Sequence, residues 1–146
     1  LFADVHEIDA CDFKNTFFDV IVLDAPCSAT GTLRRHPDLL FAKNGSDFTG
    51  LFNLQEAMLE HAIDLLKPRG RLVYCTCSLL PEEGEVQVEK ILSKRSDIEI
   101  DSSMFTHSFI KNSWLIHPIG IRLRPDYLGV LGGMDGFFIS LLHKKA

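Results

Sequence analysis

No glycine precedes Gly31, although the chain holds 10 among its 146 residues. A Gly-rich loop that cradles a nucleotide between a strand and a helix is therefore excluded from the first 30 positions. Long hydrophobic runs are also missing. Nothing approaches the roughly 20 apolar residues that span a bilayer, and residues 1 to 10 carry Asp4, Glu7 and Asp9 where a secretory leader would be cationic. These absences predict a cytoplasmic protein with no membrane partner. Positive charge is scarce as well: 15 Lys and Arg stand against 20 Asp and Glu, for a net charge of -5. No overall field draws a polyanion to such a chain, so a nucleic-acid partner must be held by a local patch. Cysteine is limited to positions 11, 27, 75 and 77, too few and too irregular for a disulfide framework. Cys75 and Cys77 lack the usual zinc spacing, and no His lies within five residues of Cys27 or Cys77, so no metal site is expected. Internal repeats and low-complexity segments are absent.

What is present suits one globular domain with a core, since 46% of residues are hydrophobic and 24% charged. Residues 18 to 23, Phe-Asp-Val-Ile-Val-Leu, read as a parallel strand covered on both faces. Leu51, Leu54, Met58, Ala62 and Leu65 recur every three or four positions, which predicts an amphipathic helix over 51 to 66, ended by Lys67-Pro68-Arg69-Gly70. A second strand is expected over Arg71 to Cys75, and a helix from Pro81-Glu82-Glu83 to about Lys94, with its acidic residues at the positive end. Strand, helix, strand, helix is the unit of a doubly wound α/β sheet with parallel neighbours. Further strands are expected at Ile98 to Ile100 and, as an antiparallel pair at the sheet edge, at Ile121 to Arg124 and Phe137 to Leu142. Asn44-Gly45-Ser46 reads as a loop, Trp114 as packing, His61 as a surface residue, and one of Phe137 and Phe138 as core.

Ligands of open α/β sheets bind beyond the carboxyl ends of the strands. After the first strand comes Asp24-Ala25-Pro26-Cys27-Ser28-Ala29-Thr30-Gly31, and after the second Cys75-Thr76-Cys77-Ser78. Each end offers a thiol, and parallel neighbours place them side by side. A thiolate is the best nucleophile among ordinary side chains, and Asp24 could bond to a polar heterocycle under attack. Against this stands packing: free Cys is among the most buried residue types, and Cys75 in particular reads as a small core residue. The residues alone do not choose between Cys27 and Cys77 as the nucleophile.

The segment from Phe18 to Asp38, with Asp24-Ala-Pro-Cys27 and Arg34-Arg35-His36-Pro37-Asp38, then Leu72 to Ser78, then Pro81-Glu82-Glu83, closely resembles the S-adenosylmethionine-dependent RNA cytosine-5 methyltransferases of the bacterial Sun or Fmu 16S rRNA type. Gly133-Met134-Asp135-Gly136-Phe137-Phe138 is similar to that family's closing motif. The resemblance implies a Rossmann-like class I methyltransferase sheet, mostly parallel with an antiparallel C-terminal edge pair. It implies Cys77 as the nucleophile that adds to carbon 6 of cytosine, Cys27 as the thiol that resolves the adduct, and Asp24 as the acid that bonds to the ring. It implies S-adenosylmethionine as cofactor, with Asp4 and Asp24 towards it, and ribosomal RNA as partner; Arg34, Arg35 and His36, the compact basic cluster near the proposed site, are expected to bind RNA phosphates.

The family's Gly-rich cofactor loop has no counterpart before Gly31, and Gly132-Gly133 does not stand between a strand and a helix. Residues 1 to 146 are therefore expected to be the C-terminal part of a methyltransferase catalytic domain, inactive in isolation. The Gly-rich loop and any N-terminal RNA-binding domain would lie outside it, and an exposed sheet edge would favour a homodimer. Competing readings are a non-catalytic RNA-binding or assembly module of the same fold, a methyltransferase acting on an exocyclic nitrogen, and a thiol redox protein using Cys75 and Cys77.

Overall fold

The computed structural model describes residues 2–14, 16–42 and 47–146; the loop expected at Asn44-Gly45-Ser46 lies outside them. Among the described residues six strands form one sheet: β1 (Phe18–Asp24), β2 (Leu66–Thr76), β3 (Ile98–Ile100), β4 (Leu115–Ile116), β5 (Gly120–Leu123) and β6 (Phe137–Lys144). The helices are a short α1 (Leu39–Ala42), α2 (Phe48–Asp64) and α3 (Glu85–Lys94). The β-branched and aliphatic run of β1 pairs in parallel with β2, as expected, with Asp24 opposite Cys75. Beyond this pair, the pairing among the described residues is antiparallel.

The order is β1-β2-β6-β5-β4, with β3 alongside β6. The antiparallel pair β5 and β6 forms as the sequence predicts, but β6 is interior rather than at the edge, because it also pairs with β2 along Arg71 to Thr76. β2 starts earlier than the periodicity predicts. Lys67-Pro68-Arg69-Gly70 does not separate helix from strand but lies inside β2, where the register against β1 shifts between Phe18 and Val20. A bulge of this kind is where a strand accommodates proline and where Arg69 can take its positive φ of 66°.

Ile21 and Leu23 of β1, Leu72 and Tyr74 of β2 and Phe138 and Leu142 of β6 share the core with Leu59 and Ile63 of α2 and Val88 and Ile91 of α3. Full burial of each large aliphatic side chain contributes about 2 kcal/mol. The other face is open at β1, where Val20 is 58% and Val22 66% exposed. A strand covered on both faces is thus a prediction that the described residues do not bear out: β1 is hydrogen-bonded on one side and packed on one face. In α2 the buried side chains are Gln55, Leu59, Ala62 and Ile63, while Leu54 is exposed. Among the described residues no helix is long and apolar enough to cross a membrane.

Candidate active site

The carboxyl ends of β1 and β2 lie side by side, and the chain beyond each carries one thiol into the gap between them. The sulfurs of Cys27 and Cys77 stand 3.4 Å apart. Main-chain bonds fix that approach: the Ala25 amide donates to the Cys75 carbonyl at 3.1 Å and the Gly31 amide to the Cys77 carbonyl at 2.9 Å. Between them the chain turns through Ala29, whose φ of 59° costs about 1 kcal/mol in a residue with a Cβ. Gly31 meets a steric demand, since a Cβ there would lie 2.1 Å from the Gly136 carbonyl oxygen. The Gly136 amide donates to the Gly31 carbonyl at 2.8 Å, so the closing motif at residues 133 to 138 is joined to the Cys27 loop.

A buried polar network lies behind the thiols. Ser28 Oγ and Thr30 Oγ1 each lie 3.2 Å from Ser78 Oγ, and Thr30 Oγ1 accepts from the Leu79 amide at 2.9 Å. Arg122 of β5 donates to the Ser78 carbonyl at 2.7 Å and pairs with Glu85 at the start of α3. Gln55 of α2 donates to the Pro26 carbonyl at 2.9 Å. Burial pushes the Cys27 thiol up to about 12, opposed by the Ala29 main chain and reinforced by Cys77 and Glu83. Cys75 is also raised, to about 11, by burial and then by Asp24. It is buried at the centre of the sheet with its sulfur 3.5 Å from the Leu23 carbonyl, the core position anticipated for it.

Four of the expected site residues converge here and three do not. Cys27, Cys77 and Asp24 share the strand ends, and Arg35 bonds to Asp135 of the closing motif at 2.8 Å. Arg34 is exposed beside Gly133, where an added Cβ would lie 2.2 Å from its Nη1. His36 is exposed on the following turn, and Asp4 is exposed without a hydrogen bond or ion pair to another described residue. The cofactor implied by the resemblance is a cation, and the donor set suits its methyl-donor end. Asp24 presents an exposed carboxylate that pairs with no described cation at the end of β1, next to Cys75 and the thiols. No grouping of His, Cys, Asp or Glu suited to a metal ion occurs among the described residues.

Ser28, Ser78, Gln55, Glu83 and Arg122 were not singled out by sequence. A trace of them was visible, in that Ser28-Ala29-Thr30 and Ser78 repeat small hydroxyl residues after each strand. His61 is less of a surface residue than its pattern indicates, because its Nε2 lies 2.8 Å from the Phe13 carbonyl oxygen. Trp114 packs against Tyr127 at 6.2 Å between ring centroids, and Phe138 is the core aromatic of its pair.

The model of a family described as 16S rRNA methyltransferase RsmB/F matches residues 1–143. Ribosomal RNA small subunit methyltransferase B of Pasteurella multocida is 40% identical over 127 residues, covering 87% of this chain and 26% of that protein. The protein of the same name from Klebsiella pneumoniae is 46% identical over 133 residues, covering 90% of this chain and 27% of its own length. The chain thus spans about a quarter of the curated relatives it matches. Among solved structures, NSun6 from Pyrococcus horikoshii with SFG superposes with a TM-score of 0.77 at 29% identity, over 98% of this chain and 35% of that one.

Proposed function

The chain belongs to the 16S rRNA methyltransferase RsmB/F family, and from that premise we propose that it carries the thiols of an RNA cytosine-5 methyltransferase that uses S-adenosylmethionine and acts on ribosomal RNA. The observation that supports this reading most is the meeting of Cys27 and Cys77 at 3.4 Å, at the ends of neighbouring parallel strands.

Carbon 5 of cytosine is too weak a nucleophile to take a methyl group unaided. Addition of the Cys77 thiolate to carbon 6 forms a carbon–sulfur bond and turns the ring into an enamine, in which carbon 5 is nucleophilic. Asp24 bonds to the polar edge of the ring, its carboxylate accepting from the exocyclic amino group and holding the ring for attack. S-adenosylmethionine would supply an electrophilic methyl group when bound, and in this reading Asp24 would help to hold it. Cys27 acts afterwards: as the carbon 5 proton passes to water, the electron pair of that bond restores the ring double bond and the Cys77 sulfur leaves as thiolate, with Cys27 assisting release. Arg34 and His36 reach phosphates of the RNA from the exposed turn that follows the Cys27 loop, while Arg35 is partly neutralised by Asp135.

Incubation with S-adenosylmethionine and an RNA containing 5-fluorocytosine tests this reading once the segment is placed within a complete catalytic domain of the family, because fluorine at carbon 5 blocks the final elimination. A covalent protein–RNA species whose cross-linked peptide contains Cys77 is expected. RNA that binds without any adduct would support the non-catalytic reading instead.

A further inference from the structure

Glu83 lies between the two thiol loops and has no part in the chemistry above. Its side chain is completely buried, yet among the described residues it forms no ion pair. An interior carboxylate is costly unless donors replace the water it has lost. Here Oε1 accepts from the Ser28 amide at 2.8 Å and from Gln55 Nε2 at 3.1 Å, and Oε2 accepts from Ser28 Oγ at 2.5 Å. Each partner donates, which is the set an acceptor-only carboxylate requires.

The placement of these bonds is specific. Ser28 directly follows Cys27, and its hydroxyl also lies 3.2 Å from that of Ser78, which directly follows Cys77. The main-chain carbonyl of Glu83 accepts from Tyr74 Oη at 2.9 Å and Thr76 Oγ1 at 3.2 Å, both on β2 just ahead of Cys77. One residue is therefore fastened by its side chain to the first thiol loop and by its backbone to the strand that carries the second.

We propose that Glu83 is the positioning residue of the thiol pair: its carboxylate seats Cys27 against Cys77 and makes the two sulfurs chemically unequal, so that Cys77 attacks while Cys27 stays a thiol. Among the described residues, the titratable groups within electrostatic reach of Cys27 include Cys77, Tyr74 of β2 and Glu83 itself. Burial is the larger obstacle to a charge on the Cys27 sulfur, and the neighbouring Glu83 carboxyl opposes that charge in the same direction. Cys77 instead has the Arg35 guanidinium within electrostatic reach. The inference rests on the methyltransferase reading, in which one thiol must attack and the other wait.

Alkylation by iodoacetamide, followed by mass spectrometry across pH in the wild type and in Glu83→Gln, tests it. Glutamine keeps an acceptor oxygen for the Ser28 amide and removes the charge. In the wild type Cys77 is expected to react at least about tenfold faster than Cys27 at pH 8. In folded Glu83→Gln the Cys27 profile should move to lower pH, burial still holding it above the ordinary thiol range, and the ratio should fall about threefold. A purely structural role would change both thiols together. Equal wild-type rates overturn the proposal, as does an unchanged ratio in folded Glu83→Gln. If that variant does not fold, Glu83→Asp decides, because it keeps the acid but shortens its reach to Ser28: a ratio that falls supports the seating, and an unchanged ratio overturns it. Alkylation needs neither RNA nor cofactor, so a missing RNA adduct would refute the functional reading without touching this one.

Discussion

The sulfurs of Cys27 and Cys77 are 50 positions apart in the chain and 3.4 Å apart in space. A disulfide needs about 2.05 Å, so a small movement closes the gap. Two-electron oxidation by hydrogen peroxide should couple them, with both thiol protons and the electron pair passing to the peroxide to give water. The expected product is an intrachain linked peptide pair and a chain lighter by two hydrogens, reversed by dithiothreitol. Exclusive oxidation of Cys11, with Cys27 and Cys77 recovered as thiols, would contradict the geometry.

Gly31 is the joint between the Cys27 loop and the closing motif. Gly31→Ala places a methyl group 2.1 Å from the Gly136 carbonyl oxygen, and backbone on both sides must give way. Destabilisation of about 2 kcal/mol is expected from overpacking, read as a lower midpoint in urea with an unchanged slope. A midpoint equal to that of the wild type would show that the two loops are not in contact.

Stability should depend on alkaline pH. Burial raises the Cys27 thiol to about 12 and the Cys75 thiol to about 11, above the value of 9.0 ordinary for each. The unfolded chain therefore loses these protons first, and stability present below about pH 9 is lost as pH rises towards the folded values. The thermal midpoint should fall between pH 9 and 12, and fall less in Cys27→Ser. Equal alkaline sensitivity in wild type and Cys27→Ser would place Cys27 in water.

The two arginines of the basic cluster should behave differently. Arg35 bonds to Asp135 while Arg34 pairs with no described carboxylate, although both are exposed. Arg34→Ala should weaken RNA binding and lower the slope of log affinity against log salt by about 1. Arg35→Ala should change the slope less, because it also releases Asp135. Fluorescence anisotropy with a labelled ribosomal RNA stem-loop measures both. Identical slopes in wild type and Arg34→Ala would remove this turn from the interface.

Much of this arrangement is legible in the sequence because it is local. The apolar run of β1, the three-and-four spacing of α2 and the short alternation of β3 are properties of neighbouring residues. The interior place of β6 is not, since it depends on pairing with β2 across more than 60 intervening positions. Burial within α2 shows the same limit. Leu54 is exposed and Gln55 is buried because the partners of the amide, the Pro26 carbonyl and Glu83, come from other parts of the chain. Glu83 itself reads as an acid at a helix entrance, where solvent and the helix dipole suffice to explain it. Its inward turn becomes visible only when the donors of Ser28 and Gln55 are in place. The thiols were legible as candidates because both follow strands, but their separation required the parallel register of Asp24 against Cys75.

The central claim is that Cys77 attacks cytosine and Cys27 releases it. Cys27→Ala and Cys77→Ala, each placed within a complete catalytic domain of the family and incubated with S-adenosylmethionine and ribosomal RNA, test it through the denaturing-gel mobility of the protein. Cys27→Ala should accumulate a slowly migrating adduct that ribonuclease collapses to a band near the free chain, and Cys77→Ala should form none. An adduct retained in Cys77→Ala and lost in Cys27→Ala would reverse the assignment and contradict the account.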